Sequence, residues 1–311
     1  MELDKAMNAG GGFSLIVPLY KGICHLDSIL AILAKNRAAL KAAGIDLPLE
    51  LVLVNDYPAD NEAVQNDARL QNLSDCRLVL HEKNTGIHQA RIDGVTACRG
   101  EFITMLDQDD WIADNYFVSQ YRALQKKKKA TLAICNGRWV SPGRQRRIYK
   151  FYLSQSLATH YMVYPHRGNY IVSPGMVLMR RSAIPQPWMT KVLHNNGADD
   201  SFLWFLMGTV KDGFIAVANH RFLYHHIFTG TNCSEDHTQM IASIREVAEK
   251  MKGEGPMGDR IYTMFAYRMH FADETGKVPQ ARFIDRLCIG YWDNYNRALG
   301  LARKILKVIK K

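Results

Sequence analysis

At 311 residues, 47% of them hydrophobic, the chain can bury a sizeable core and suits one large α/β domain with a C-terminal appendage. A net charge of +10 points to an anionic partner, but aromatic residues are not interleaved with the cations as stacking on nucleic acid requires, which argues against a nucleic-acid partner. Met1–Gly12 holds no hydrophobic signal segment, no run reaches the ~18 apolar residues that span a bilayer, and the cysteines include no Cys-x-x-Cys pair, so a cytoplasmic chain with reduced thiols is expected.

Taken in chain order, Phe13-Ser14-Leu15-Ile16-Val17 reads as a buried strand ending in the turn Pro18-Leu19-Tyr20. Leu26, Ile29, Leu30 and Leu33 recur at helical spacing and predict a helix covering one sheet face. A second apolar run, Leu49–Val54, leads into Asn55-Asp56-Tyr57-Pro58-Ala59-Asp60, and a third, Arg77–Leu80, ends at His81-Glu82. Asn84-Thr85-Gly86 has turn chemistry that lets backbone approach a ligand closely, and it opens a helix carrying Val95 and Ala97. On that helix Arg91 either meets a phosphate bidentately or lies at the surface. The fourth run, Phe102–Leu106, delivers Asp107, Asp109 and Asp110 onto one short turn around Gln108.

Like charges gathered on one turn destabilise each other unless a cation neutralises them, and hard oxygen ligands favour Mg²⁺ or Mn²⁺ over zinc. A metal-bridged diphosphate is the natural occupant, although a solvated Asp-rich turn or a helix cap uses the same residue types. Strands alternating with helices imply a parallel sheet whose ligands bind outside the carboxyl ends of the strands, where Asp56, Asp107 and Asp109 share one edge.

The succession Phe13–Tyr20, Val54–Asp60, Asn84–Gly94 and Gly100–Trp111 resembles the N-terminal half of the family 2 glycosyltransferases, over residues 13–116. In that family a Pro-x-Tyr turn, an Asp-Asp-Gly-Ser-like segment, Asn-x-Gly-x-x-x-Ala-Arg-Asn-x-Gly and an Asp-x-Asp-Asp turn follow one another. Here Asn55 replaces the first Asp, Tyr57-Pro58-Ala59 replaces Gly-Ser-Thr, and Asp93 replaces the Asn after Arg91. The resemblance implies a GT-A fold, with a Rossmann-like, mostly parallel central sheet flanked by helices. It also implies a nucleotide-sugar site formed by Pro18, Tyr20, Asp56, Asn84, Gly86, Arg91, Asp107 and Gln108. Within it, Asp56 would face the nucleobase or ribose and Asp107 the ribose side, while Asp109 and Asp110 bind Mn²⁺ or Mg²⁺.

In the second half, Phe117, Tyr121 and Leu124 mark a helix, and Lys126–Lys129 is read as its solvated end before a buried strand, Thr131–Cys135. Arg144-Gln145-Arg146-Arg147 is a further basic cluster. Asn195–Asp200 precedes the apolar run Ser201–Leu206, and it resembles the family's Gly-Glu-Asp segment with Asp199 and Asp200 in the acidic positions. Such acids also cap a helix start, an effect of about 1 kcal/mol. A sugar hydroxyl is a poor nucleophile and a nucleotide-sugar already carries an activated leaving group. One carboxylate that takes the acceptor proton therefore suffices, and displacement inverts the anomeric centre. Asp200 is assigned that role, with Asp199 next in line. Arg221–Ser234 begins as a strand and ends in turn residues. His226 there either completes the metal shell or is an ordinary strand histidine, and with Thr229 and Ser234 it loosely resembles the family's Tyr-x-x-His strand and closing loop. In Leu299–Lys311 the apolar residues Leu301, Ala302, Ile305, Leu306, Val308 and Ile309 oppose Arg303, Lys304, Lys307, Lys310 and Lys311. A helix of this kind lies on an anionic membrane or docks on its own domain.

The expected organisation is a glycosyltransferase domain over 1–235, with a nucleotide-binding half at 13–116 and an acceptor half at 117–235, followed by a helical region at 236–311. The expected activity is metal-dependent, inverting transfer of a sugar from a nucleotide donor, UDP by family frequency, to a glycan or lipid-linked acceptor of cell-surface polysaccharide synthesis. The expected place is the cytoplasm, at the inner face of the membrane where the terminal helix binds lipid. A nucleotidyltransferase shares the sheet and the acidic edge but needs a Gly-rich, Arg-containing turn that Val17–Gly22 lacks. A non-catalytic module binding nucleotide-sugar and membrane has no chemical use for Asp200.

Overall fold

The computed structural model describes residues 11–73, 75–229, 236–273 and 275–309. The four apolar runs form β1 (Phe13–Leu19), β2 (Leu49–Asn55), β3 (Cys76–Leu80) and β4 (Phe102–Met105), all parallel, in the order β3-β2-β1-β4. Residues of β1 and β2 are buried throughout, which is why these strands read as mostly apolar runs rather than alternating ones; the exceptions, Ser14 and Glu50, bond to each other at 2.6 Å. Helix α1 (Leu26–Ala42) joins β1 to β2 and α2 (Ile87–Ala97) joins β3 to β4. A Cβ at Gly94 would come within 2.4 Å of Ile16 Cγ2, so glycine lets α2 lie close on β1.

Pro18 sits inside β1 without breaking the ladder. Phe102 N donates to Gly12 O and Leu106 N to Ile16 O, so even-numbered residues of β1 face β4. Pairing with β4 ends opposite Ile16, and the amide hydrogen that Pro18 lacks would point past the neighbour's end.

The rest of the sheet is mixed. It comprises β5 (Trp111–Ile112), β6 (Leu132–Ser141), β7 (Arg144–Arg147), β8 (Val177–Arg180) and β9 (Ala216–Ile227), giving nine strands with β8 antiparallel between β4 and β6, β9 parallel to β6, and β7 paired to β6 as a hairpin. Helix α3 (Tyr116–Gln125) packs against this half, and Lys126–Lys129 at its end is exposed, as read from the sequence. Short helices α4 (Tyr152–Ser156) and α5 (Val163–Arg167) cross to α6 (Asp199–Met207), whose residues are all buried. The result is an α/β fold whose sheet is flanked by helices.

Three helices follow: α7 (His237–Met251), α8 (Gly255–Met269) and α9 (Phe283–Ile309). Among the described residues no helix is long and apolar enough to cross a membrane. The side chains of residues 298–311, on which the amphipathic reading rests, lie outside the described residues. The start of α9 is fastened by Asp285, which is fully buried and accepts hydrogen bonds from Arg260 Nε at 3.0 Å, Arg260 Nη2 at 2.6 Å and His166 Nε2 at 2.8 Å. Burial alone would raise this carboxyl, but those donors outweigh it and hold it below the usual range. Its contribution is thus present above the unfolded value near 3.8 and is lost as pH falls through the lower folded value. Asp285→Ala should cost about 3 kcal/mol in urea unfolding at pH 7, because Arg260 loses its counter-charge and the buried His166 Nε2 its hydrogen-bond partner, and the difference from wild type should shrink toward pH 3.

Candidate active site

The acids expected at one sheet edge do converge there. Asp56 follows β2 and Asp107 follows β4, so the parallel register carries both to the carboxyl end of the sheet. Asp199 and Asp200 open α6 in the opposite half of the chain, and one buried arginine ties the halves together. Arg91, on α2, donates from Nη1 to Asp199 Oδ2 at 2.6 Å and from Nη2 to Asp107 Oδ1. Burial works against its charge, yet Asp199 and Asp107 outweigh it and hold the guanidinium above its ordinary value. Arg91 is therefore a strut between two carboxylates rather than an open phosphate ligand or a surface residue.

Asp200 is buried beside that pair. Its Oδ1 accepts from Ser201 N at 2.5 Å and its Oδ2 from Asn169 Nδ2 at 2.7 Å. Burial and the Asp199 charge push its carboxyl up to about 7, with Arg91, Asn169 and Ser201 acting in the other direction. A carboxylate in that range, held by two donors, has the properties of a general base. Asp199 is bonded to Arg91, and its carbonyl accepts from Trp188 Nε1 at 2.9 Å, so it is fixed as part of the frame.

The Asp107–Asp110 turn divides its labour. Asp107 takes Arg91 and, at 3.3 Å, Ser173 Oγ. Gln108 pairs with the backbone of Tyr20, accepting from its N at 2.9 Å and donating to its O at 3.1 Å, which ties the turn to the end of β1. Asp110, read from sequence as a metal ligand, is turned inward. Its Oδ1 accepts from Ile227 N at 2.9 Å, and its Oδ2 faces Tyr224 Oη and, at 3.4 Å, His226 Nδ1. Asp109 is pushed up to about 6 by burial and by the charges of Asp110 and Asp107, with His226 opposing.

Among the described residues no group of three or more His, Cys, Asp or Glu stands ready to hold a metal ion. Two observations nevertheless fit one. The Asp109 carboxyl carries a like-charge repulsion that a cation would relieve, and His226 Nε2 is buried with no partner while its other nitrogen is held toward Asp110. A histidine oriented through Nδ1 by a carboxylate and open at Nε2 is a common ligand arrangement. Asp109 and His226 are thus the chain's own candidates, with Asp110 orienting the imidazole.

At the end of β2, Asp56 is fully engaged. Its Oδ1 accepts from Thr85 N at 2.7 Å, Thr85 Oγ1 at 2.9 Å and His81 Nδ1 at 2.8 Å, and its Oδ2 accepts from Gly86 N at 2.8 Å. Asp56 therefore fixes the turn before α2, which Asn84 Oδ1 closes by accepting from Gly86 N at 3.0 Å. Gly86 has φ +88, a conformation that favours glycine. Beyond this turn Tyr20 and Tyr57 meet edge to face at 5.3 Å, with Lys21 Nζ 5.5 and 5.3 Å from their rings. Tyr20 is 46% exposed, so this cluster presents an aromatic and cationic rim at the end of β1 and β2.

Asn169, Ser173 and Tyr224 were not singled out from sequence. They are ordinary polar residues whose partners are distant in the chain, and only Gly168, at φ +98 before Asn169, hints at a special turn. Thr229 is described, whereas Ser234, the other residue matched to a closing loop, lies outside the described residues.

The sequence model of Glycosyl transferase family 2 matches residues 14–186, and the chain belongs to that family. Among its relatives, the Bacillus subtilis protein EpsH, named a glycosyltransferase, is 34% identical over 90 residues, 28% of this chain and 25% of its own. Glycosyltransferase GlyG of Streptococcus pneumoniae is 32% identical over 79 residues, 25% of this chain and 26% of its own. An undecaprenyl-phosphate 4-deoxy-4-formamido-L-arabinose transferase of Pseudomonas fluorescens is 31% identical over 97 residues, 31% of this chain and 27% of its own. These matches span about a quarter of each relative's length. The fold is also that of S. aureus TarS 1–349, whose crystal structure in complex with UDP-GlcNAc superposes with TM-score 0.57 and 16% identity over 89% of this chain and 78% of that one. The GT-A fold expected from the motifs is thereby established.

Proposed function

We propose that the chain is an inverting glycosyltransferase that moves a sugar from a UDP-sugar to a hydroxyl of a glycan or lipid-linked acceptor in cell-surface polysaccharide synthesis. The observation that carries this reading is the line Asp107–Arg91–Asp199 ending beside Asp200, a buried carboxyl pushed up to about 7. UDP is favoured because UDP-GlcNAc is the molecule bound by TarS, and a lipid-linked acceptor because a relative is named for undecaprenyl phosphate.

In this reading Tyr20 and Tyr57 cover the base, the backbone of the Asn84–Gly86 turn approaches the ribose and diphosphate, and Asp107 orients the ribose side. Pro18 keeps the end of β1 extended, Gln108 holds Tyr20 in place, and Asp56 sets the turn. Asp109 and His226 would hold Mn²⁺ or Mg²⁺, which would supply positive charge to offset that of the diphosphate leaving group. Asp200 Oδ2 or Oδ1 takes the acceptor proton as the hydroxyl attacks the anomeric carbon, and Asn169 and Ser201 fix its orientation. Asp199 is neutralised by Arg91, so no second carboxylate serves as nucleophile and the anomeric centre inverts. Residues 1–235 form the glycosyltransferase unit and 236–311 a helical appendage, whose end at 299–311 contacts the anionic inner face of the cytoplasmic membrane.

Asp109→Ala is expected to remove Mn²⁺-dependent enhancement of UDP binding in calorimetric titration, leaving metal-free binding as in wild type. Unchanged affinity in Mn²⁺ would refute the metal role of this carboxylate.

A further inference from the structure

From Asn115 to Ala198 the chain contains 14 lysines and arginines and not one aspartate or glutamate, so the net charge of +10 arises largely from this segment. Within it the β6–β7 hairpin and the start of α4 are exposed. Arg144, Arg146, Arg147 and Lys150 are exposed, and next to them Phe151, Tyr152 and Leu153 are 73%, 72% and 72% exposed. Among the described residues no carboxylate pairs with Arg144, Arg147 or Lys150. Phe151 and Leu153 left in water on either side of Tyr152, whose ring stacks on His220 at 3.7 Å, are unfavourable beside a cluster of cations in an isolated protein and suit a surface that is anionic outside and apolar within.

The apolar tip is held rigidly. Buried Asn136 donates from Nδ2 to Tyr149 O at 3.1 Å and accepts from Tyr149 N at 3.2 Å, which fixes the exit of the hairpin. Buried Gln155 donates from Nε2 to Ile134 O at 3.1 Å and Asn219 O at 2.7 Å, which anchors α4 on the sheet. The tip also adjoins the reaction centre. Tyr149 Oη donates to Tyr170 O at 2.8 Å and Tyr170 Oη to Ser154 O at 2.7 Å, while the preceding residue, Asn169, holds Asp200.

We infer that the β6–β7 hairpin and Phe151–Leu153 form a docking surface for an anionic phospholipid bilayer, with the apolar tip entering the headgroup boundary and the arginines meeting lipid phosphates, so that Asp200 faces the membrane interface. A soluble polyanion would engage the cations but leaves the three apolar side chains without a role, which is why a bilayer is favoured. This surface is drawn from residues 144–153 alone and does not rest on the identity of the donor.

The test is co-sedimentation of the full chain with vesicles of phosphatidylcholine alone or mixed with phosphatidylglycerol, with UDP-sugar hydrolysis measured on the same preparations. Wild type should bind only the phosphatidylglycerol vesicles. Phe151→Ser with Leu153→Ser, and separately Arg144→Glu with Lys150→Glu, should each weaken binding by about tenfold or more, since each surface cation contributes about fivefold. Hydrolysis and circular dichroism should stay at wild-type values, because these side chains lie outside the reaction centre. Wild-type vesicle binding by both double variants overturns the inference, as does loss of binding only in a chain ending at Ala298. So does an unchanged Phe151→Ser/Leu153→Ser variant alongside a weakened Arg144→Glu/Lys150→Glu one, the pattern of a polyanion site. Absence of hydrolysis in every form would count against the proposed reaction while leaving the vesicle comparison to decide this surface.

Discussion

Asp200→Asn is expected to lower kcat by about 10³-fold while UDP-sugar affinity stays within about twofold of wild type, as for loss of a general base that touches no part of the donor. Asparagine keeps the size, and its Oδ1 can still accept from Ser201 N; its Nδ2 would face the Asn169 amide, which must turn to offer its oxygen, and asparagine cannot take a proton. The wild-type rate should carry an acid limb: Asp200 must be deprotonated, its carboxyl is pushed up to about 7, and kcat/KM should therefore climb with pH through that value and level off above it. The stability effect runs the other way. Because the folded value lies above the unfolded 3.8, the folded state takes up protons between the two and loses stability as pH rises from about 4 to about 7. Asp200→Asn should thus unfold at a higher temperature than wild type at pH 8, by about 1–3 kcal/mol of added stability, even as turnover disappears. An active Asp200→Asn enzyme would move the base elsewhere, and Asp199 would be tested next.

Arg91→Met is expected to be the most damaging single change to the fold around the site. It strands the buried Asp199 beside Asp200 and removes the partner of the half-buried Asp107; leaving a buried charge uncompensated costs about 3–5 kcal/mol. Arg91 also holds the Asp200 carboxyl down, so in whatever fraction stays folded the acid limb of kcat/KM should move to higher pH. Arg91→Lys should restore part of the stability, because an ammonium supplies the charge but not the planar fork that reaches two carboxylates at once. Urea unfolding and the pH profile together check this account, and wild-type stability in Arg91→Met would remove the strut from it.

Much of the N-terminal half is legible in the chain because its signals are local. β1 and β2 are buried on both faces and so appear as apolar runs broken only by Ser14 and Glu50, which bond to each other, and an acid placed after a parallel strand lies at the carboxyl edge of the sheet by geometry alone. The short antiparallel β8, Val177–Arg180, is not legible, because it ends in arginines rather than in an acidic turn and its partners Phe102–Ile103 and Leu132–Ile134 are distant in the chain. Partners across the sheet were equally hidden. Arg91 was read as a phosphate ligand or a surface residue, since nothing near it announces Asp199, 108 positions later. Asp110 read as a metal ligand, and only Tyr224 and the Ile227 amide show why it points inward. The acidic turn of α6 was visible as a motif, whereas Asn169, which orients Asp200, had no pattern to betray it.

The central claim is that Asp107, Arg91, Asp199 and Asp200 form one donor-facing frame with Asp200 as base. The most direct test is UDP release from a panel of UDP-sugars by the full chain in Mn²⁺, followed from pH 5 to pH 9. Release from at least one donor, rising with pH through about 7, is the predicted result. A rate independent of pH across that range, or no release from any donor, would contradict it.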